Sequence, residues 1–203
     1  MWPWEHAIFA YLLYSIYSHL RYREAPDGRV AVVLVVAAVL PDVIDKPLAW
    51  EFGVFSTGYA LGHSLFFAVP LSFAMWLLAW GRGSPRLGTA FGIGYLSHLV
   101  GDVLPIYVLE GEWTTDHLLW PIVVTSSHDH GQGFADRFLD LFLPYYHELT
   151  GGDPSLYTRL VLGMGVLTLL LWIYDGMPVL RELASGTRRL CLRTLRALAT
   201  LGE

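Results

Sequence analysis

Long apolar runs constrain this 203-residue chain more than any other feature. Five runs approach the roughly 20 residues that a helix needs to cross a bilayer. They are Trp4 to Ser18, Val30 to Leu48, Tyr59 to Trp80, Leu87 to Leu109 and Leu156 to Tyr174, and the helical periodicity of the first extends to Arg23. Only 15% of the residues are charged, whereas a soluble domain carries about a quarter. The sequence therefore predicts an all-α, polytopic membrane helix bundle of about five transmembrane helices.

The remaining segments predict one domain with an outer region and a tail. We expect a single transmembrane domain over residues 1–180, because no repeat or second domain is evident. Residues 110–155 are polar and aromatic, and "FADRFLDLFLPYYHEL" within them has the spacing of an amphipathic helix on the outer membrane surface. Residues 181–203 form a basic, leucine-rich tail that predicts an amphipathic cytoplasmic helix. The pattern "GTAFG" at residues 88–92 predicts close helix packing.

The distribution of basic residues predicts the orientation in the membrane. If the five spans are threaded alternately, 10 of the 13 Lys and Arg residues fall on one side, and that side is expected to be cytoplasmic. The N-terminus is then outside and the C-terminus inside the cell. A net charge of -5 without a long basic tract argues against a nucleic-acid partner, and one cysteine, Cys191, excludes an internal disulfide and a cysteine metal cluster.

Six ionisable residues from four spans fall at the same predicted depth, near the outer face. They are His6, Asp42, Asp45, His63, His98 and Asp102. Ionisable side chains inside a membrane are costly and usually face a partner or a cavity. His98 and Asp102 are four residues apart, so they share one helix face. The predicted orientation depends on Lys and Arg alone. The common depth of the six His and Asp residues is therefore independent evidence for it.

Imidazole and carboxylate groups are common ligands of zinc and similar divalent ions, so the six residues predict a metal site. Three His and three Asp suffice for one ion, or for two ions that share a carboxylate. Zinc is the expected metal, and manganese is the alternative. Each residue alone also has an ordinary structural explanation, such as a helix end or a buried hydrogen bond. Asp45 and His63 are the predicted catalytic residues.

Other polar residues of the outer region are weaker candidates. His128 and His130 in "SSHDHGQG" are interpreted as part of a solvated loop, with a lid or second metal site as the alternative. His117 is a candidate to reach the site. Glu110 and Glu112 are interpreted as solvated acids, although either could act as a general base, and His147 is assigned to the amphipathic helix. His19 is predicted to lie at the cytoplasmic end of the first span, on the opposite side of the membrane from the other candidates. Glu5 could orient a metal ligand through a hydrogen bond without binding the metal itself.

The stretches "WPWEH", "LPDVIDK", "GHSLFF", "SHLVGDVLP" and "LLWP" resemble, in this order, the membrane-bound metal-dependent hydrolases of the YdjM type, also called LexA-binding inner-membrane hydrolases. The resemblance covers roughly residues 2–121. It implies a polytopic fold, a distant similarity to zinc-dependent phospholipase C and metal-site roles for the six residues. The chain departs from the family where Tyr59 and Ala60 replace the usual His and Arg.

These observations predict a metal-dependent hydrolase of the cell membrane, whose substrate is a lipid or lipid-linked phosphoester at the outer face. A second hypothesis is a metal-free lipid phosphatase similar to the type-2 phosphatidate phosphatases, because His63 lies in a "GH" element and His98 with Asp102 in an "HxxxD" element. The chain lacks an outer Arg near His63 or just before His98, where those enzymes bind phosphate. A third hypothesis is a non-enzymatic membrane protein with a structural metal or polar cluster.

Overall fold

The computed structural model describes residues 1–124 and 133–187. Within them the protein is all-helical, with no β-strand. The helices are α1 (Pro3–Tyr22), α2 (Gly28–Trp50), α3 (Leu65–Gly81), α4 (Pro85–Glu110), α5 (Phe134–Thr150) and α6 (Leu156–Tyr174). A short 3-10 helix, Asp116–Leu118, lies between α4 and α5. The all-α prediction is confirmed.

Helix α4 is the centre of the bundle and packs against α1, α2, α3 and α6. Glycine allows its closest contacts. A Cβ atom at Gly94 would lie 2.5 Å from the Leu34 carbonyl oxygen, and one at Gly88 would lie 2.6 Å from Trp76 Cα. A Cβ at Gly92, in contrast, would only reach ordinary contact with Ser72, at 4.0 Å. Only the first glycine of the 88–92 pattern is therefore needed for close packing.

The outer surface of the bundle is strongly apolar. On α6 only Thr158 and Thr168 are buried, and on α3 only Ala68 and Ser72, so most apolar side chains of both helices face outward. Two helices, α4 and α6, are long and apolar enough by length and composition to cross a membrane, and α3 is a shorter apolar helix. An apolar surface of this extent is typical of a helix bundle in contact with lipid.

The start of the predicted third span is wrong. Residues 59–64 are not helical, and α3 begins only at Leu65. Ser64 is the N-cap, and its hydroxyl accepts a hydrogen bond from the Phe66 amide. The segment is apolar enough to resemble a helix, but it forms a loop whose backbone amides bind the buried carboxylate of Asp45.

Helix α2 continues through two prolines that might have ended it. It contains Pro41 and Pro47 and ends at Trp50. A proline inside a helix removes one hydrogen bond and opens the preceding turn. Pro41 leaves the Ala37 carbonyl without its helical donor, and the helix continues beyond it to carry Asp42 and Asp45 on helical backbone.

Helix α5 confirms the predicted amphipathic helix. It has no buried residue, and its aromatic side chains Phe138, Phe142 and Tyr145 pack around Trp2 at ring-centroid distances of 5.3–5.7 Å. Its first amide, from Phe134, donates to Glu51 at the end of α2. The helix thus covers the end of the bundle where α1 begins and α2 ends, which we call the site end.

Candidate metal centre

The fold brings all six predicted residues together at the site end. The start of α1, the end of α2, the loop before α3 and the second half of α4 converge there. All six side chains are buried: His6, Asp45, His63 and His98 have no exposed surface, and Asp42 and Asp102 are 4% and 7% exposed. Charged groups are almost never buried in this way unless they are paired or bind a metal.

Asp45 fixes the orientation of the His63 ring through its Nδ1 atom. Its Oδ2 atom lies 2.8 Å from His63 Nδ1, and its two oxygens accept the backbone amides of Ala60, Gly62 and His63 at 2.8–3.1 Å. Because a carboxylate only accepts, Nδ1 of His63 carries a hydrogen and Nε2 of the neutral ring is left as a lone pair. Asp45 therefore orients His63, and both of its oxygens are engaged by the loop before α3. Its role as a metal ligand stays a prediction.

His98 is held in the same tautomer by the backbone of α2. Its Nδ1 atom donates to the Ala38 carbonyl oxygen at 2.6 Å. A carbonyl also only accepts, so Nε2 of the neutral His98 ring is again a lone pair. Fixing one ring nitrogen so that the other faces inward is the usual arrangement of metal-binding histidines.

The Nε2 atoms of the two rings face each other. They lie 3.1 Å apart, a hydrogen-bonding distance at which one ring donates and the other accepts. Asp102 Oδ2 lies 3.3 Å from both nitrogens, and Asp42 Oδ1 lies 3.4 Å and 3.6 Å from them. Two ring nitrogens and two carboxylate oxygens thus converge in a buried space. Either a shared proton or a cation must offset the repulsion between them.

His6 adds a third imidazole from α1. Its ring stacks on His98 with centroids 3.6 Å apart, and its Nε2 lies 3.2 Å from Asp102 Oδ1. Gly101 makes this approach possible, because a Cβ at that position would lie 2.9 Å from His6 Nδ1. The pattern of His98, Gly101 and Asp102 on α4 therefore places one small and two ligating positions against α1.

The polar atoms left without hydrogen bonds identify the centre as a place that could hold a cation. Among the described residues, buried atoms without a hydrogen-bond partner include both nitrogens of His6, both oxygens of Asp42 and Oδ2 of Asp102. Lys46 Nζ lies 2.7 Å from Asp42 Oδ1, which pairs the charges without aligning a donor. Two groups have ligand atoms within 4.8 Å of one another, namely His6, His98 and Asp102, and Asp42, His63 and His98. These donors suit zinc or manganese.

The other candidates divide by burial. His117 is buried beside the centre, with its ring 5.4 Å from that of Tyr59, which in turn lies 4.8 Å from the His63 ring. Burial lowers the pKa of the His117 imidazole below its ordinary value. Glu110, Glu112 and His147 are exposed. The loop with His128 and His130 lies outside the described residues, as does the tail from residue 188 onward.

Glu5 connects the site end to α5 and α6. It is 1% exposed and accepts hydrogen bonds from the Tyr145 and Tyr157 hydroxyls, each at 2.9 Å, and from the Trp2 amide. The sequence singled out Glu5 only as a group that could orient a ligand. Its two tyrosine partners lie 140 and 152 residues away, so no local pattern could reveal them.

A second buried polar group lies at the opposite end of α1. Asp175 is 4% exposed and accepts from Tyr11 at 2.8 Å and Ser15 at 2.6 Å, while His19 Nε2 lies 2.7 Å from its other oxygen. His19 is therefore remote from the candidate centre and joins α1 to the end of α6. Sequence reasoning missed Asp175, because a single acid after an apolar helix carries no distinctive signal.

Together, the apolar helix bundle and its buried His–Asp cluster define a helical membrane protein with a polar centre that could hold a divalent metal. The family model of the YdjM inner membrane proteins matches residues 1–178, so the chain belongs to the YdjM family of inner membrane proteins. No curated protein and no solved structure matches the chain significantly. The match extends well beyond the stretches that carry the resemblance in the sequence, through α5 and α6.

Proposed function

We propose that the protein is an integral-membrane, metal-dependent hydrolase that cleaves a phosphoester of a lipid or lipid-linked substrate. The observation that carries the proposal is the pair of Nε2 atoms of His63 and His98, which face each other beside the carboxylates of Asp42 and Asp102. Each ring has its Nδ1 hydrogen engaged elsewhere, by Asp45 and by the Ala38 carbonyl. A buried divalent cation would satisfy both nitrogens and the neighbouring carboxylates at once.

The residues have distinct roles in this proposal. His6, Asp42, His63, His98 and Asp102 would hold one or two ions, zinc or manganese, while Asp45 keeps His63 in the required tautomer. When bound, a divalent ion supplies Lewis acidity, which polarises a phosphoryl oxygen and makes water more acidic. The Lys46 ammonium, 18% exposed and beside Asp42, offers a positive charge to an incoming phosphate.

The membrane topology is part of the same proposal. Helices α1, α2, α3, α4 and α6 would each cross the membrane, with the N-terminus outside and the tail in the cytoplasm. The convergence of the start of α1, the end of α2 and the start of α3 supports this alternation. The excess of Lys and Arg at the other ends of these helices supports the orientation. The centre would then lie at the depth of the outer headgroups, where a phospholipid presents its phosphate.

An apolar groove supports a lipid as substrate. It has a volume of about 680 Å³, runs between α1, α2 and α6, and is lined almost entirely by apolar side chains. Its lining on α1 includes Ala7, the residue after His6, and the groove extends from there towards Trp172 and Pro178 near the end of α6. A groove of this composition suits an acyl chain.

Metal content is the first test. We would measure zinc and manganese by mass spectrometry in detergent-purified wild type, His98→Ala, Asp102→Ala and the control His147→Ala, which changes an exposed histidine of α5. We expect one or two equivalents in the wild type and the control, and loss in the other two variants. Headgroup release from phospholipid vesicles, abolished by chelation, would then show the activity. A wild type that binds neither metal, even after reconstitution, would refute the proposal.

The Asp45–His63 pair favours one second candidate. A histidine oriented by a carboxylate is the arrangement of a nucleophilic histidine. In a metal-free lipid phosphatase, His63 Nε2 would attack phosphorus as the P–O bond to the alcohol breaks. An acid-labile phosphohistidine that forms in the presence of a chelator would identify this reaction. A metal that is bound without any turnover would instead favour a structural role for the cluster.

A further inference from the structure

His117 is a buried histidine with an unsatisfied nitrogen beside the candidate centre. His117 is 9% exposed, and its Nε2 atom has no hydrogen-bond partner in the described part of the chain. A histidine in a protein interior ordinarily bonds its ring nitrogens to neighbours, because an unpaired buried polar group is unfavourable. Among the described residues, the Nε2 atom therefore has a hydrogen-bonding position that is not used.

The segment that carries His117 is fixed on both sides. Leu118, the next residue, is 6% exposed and belongs to the apolar core that includes Tyr95 and Leu99. Further along, the Trp120 carbonyl accepts a hydrogen bond from the hydroxyl of Ser64, which follows His63. The imidazole is thus held by the same loop junction that presents His63, and its position is set by packing.

The relation of His117 to the centre is that of a neighbour and not of a ligand. The Tyr59 ring contacts both side chains, with its centroid 5.4 Å from that of His117 and 4.8 Å from that of His63. His117 belongs to neither of the two groups whose ligand atoms lie within 4.8 Å of one another. Since one aromatic ring contacts both His117 and His63, a substrate oxygen bound at the centre could lie within reach of the His117 imidazole.

We propose that His117 Nε2 hydrogen-bonds a phosphoryl oxygen of the substrate, and so forms part of the phosphate-binding surface of the centre. The inference rests on the proposed metal-dependent function. An imidazole N–H is a suitable donor to an anionic oxygen, and hydrogen bonds to charged groups are the stronger kind. The bond also accounts for the unpaired nitrogen, since the substrate would supply the missing partner.

The test separates metal binding from phosphate binding. Detergent-purified wild type, His117→Ala, His117→Gln and the control His147→Ala would be loaded with zinc, and inorganic phosphate would be titrated by calorimetry. His147 is an exposed histidine of α5. We expect all four proteins to retain zinc. Phosphate affinity should fall about tenfold to a hundredfold in His117→Ala, recover partly in His117→Gln and stay unchanged in His147→Ala.

The failures are distinguishable. If the wild type binds no zinc, the proposed function fails and this inference fails with it. If the wild type binds zinc but no phosphate, or if His117→Ala binds phosphate as tightly as the wild type, only the inference is overturned. Loss of zinc from both His117 variants would also overturn it, because His117 would then be a ligand. Melting temperatures of the four proteins show whether a variant is folded, and the glutamine variant keeps the side-chain volume if alanine destabilises the loop.

Discussion

Replacing Gly101 with alanine tests whether the close contact of α4 with His6 is required for the centre. The added Cβ would lie 2.9 Å from His6 Nδ1, where ordinary contact begins at 3.4 Å. The ring must therefore move by about 0.5 Å, the difference between these distances, which is also about the tolerance of a functional constellation. Such a movement also disturbs the stacking of the His6 ring on the His98 ring, whose centroids are 3.6 Å apart.

We expect Gly101→Ala to lower zinc affinity about tenfold to a hundredfold, the range seen when metal ligands are misplaced by their supports. This corresponds to about 1.4–2.7 kcal/mol. The matched control is Gly92→Ala on the same helix, where the added Cβ only reaches ordinary contact at 4.0 Å. Alanine there should leave zinc affinity unchanged and stabilise the helix by about 0.5–1 kcal/mol.

The assay is competition with a chromogenic zinc chelator on detergent-purified protein, with thermal melting recorded in parallel. The reasoning would be wrong if Gly101→Ala held zinc within twofold of the wild type. It would also be wrong if both glycine variants lost zinc equally, since the effect would then come from the helix and not from His6.

Two further substitutions separate the candidate centre from the rest of the bundle. Asp45→Asn weakens the hydrogen bond that fixes the His63 tautomer, so zinc affinity should fall about tenfold to a hundredfold. The control Asp140→Asn, an exposed position of α5, should leave zinc affinity unchanged. Equal zinc affinities in the wild type and both variants would argue against the orienting role of Asp45. Asp175→Ala leaves the buried Tyr11 and Ser15 hydroxyls without their acceptor, which should cost about 1–3 kcal/mol of stability and lower the melting temperature with zinc content unchanged. Loss of zinc from Asp175→Ala would show that the two polar groups are coupled.

The sequence alone was sufficient to find the members of the cluster. His6, Asp42, His63, His98 and Asp102 interrupt apolar runs, and such interruptions stand out because ionisable groups are expensive in lipid. The basic residues at the opposite helix ends predict an orientation of the helices that places all five side chains at the same depth. Both signals are local or compositional, so they survive without any knowledge of how the helices pack.

The third span shows where the same reasoning failed. Residues 59–64 are apolar enough to extend a helix, but the amides of Ala60, Gly62 and His63 instead bind Asp45 on α2. This alternative to helical hydrogen bonding depends on a residue 15–18 positions away, so it cannot be read from the segment itself. The N-cap Ser64 was the one local signal that could have marked the true start.

Taken by itself, the sequence determined that this protein is a helical membrane protein, and it predicted one common depth for a set of histidines and aspartates, because hydrophobicity and charge act on each segment separately. Only the tertiary structure decided the roles within that set. It assigned Asp45 to hold His63, the Ala38 carbonyl to hold His98, and a buried place beside the centre to His117. Those roles depend on hydrogen bonds and contacts between different helices and loops, and such contacts exist only once the helices have packed.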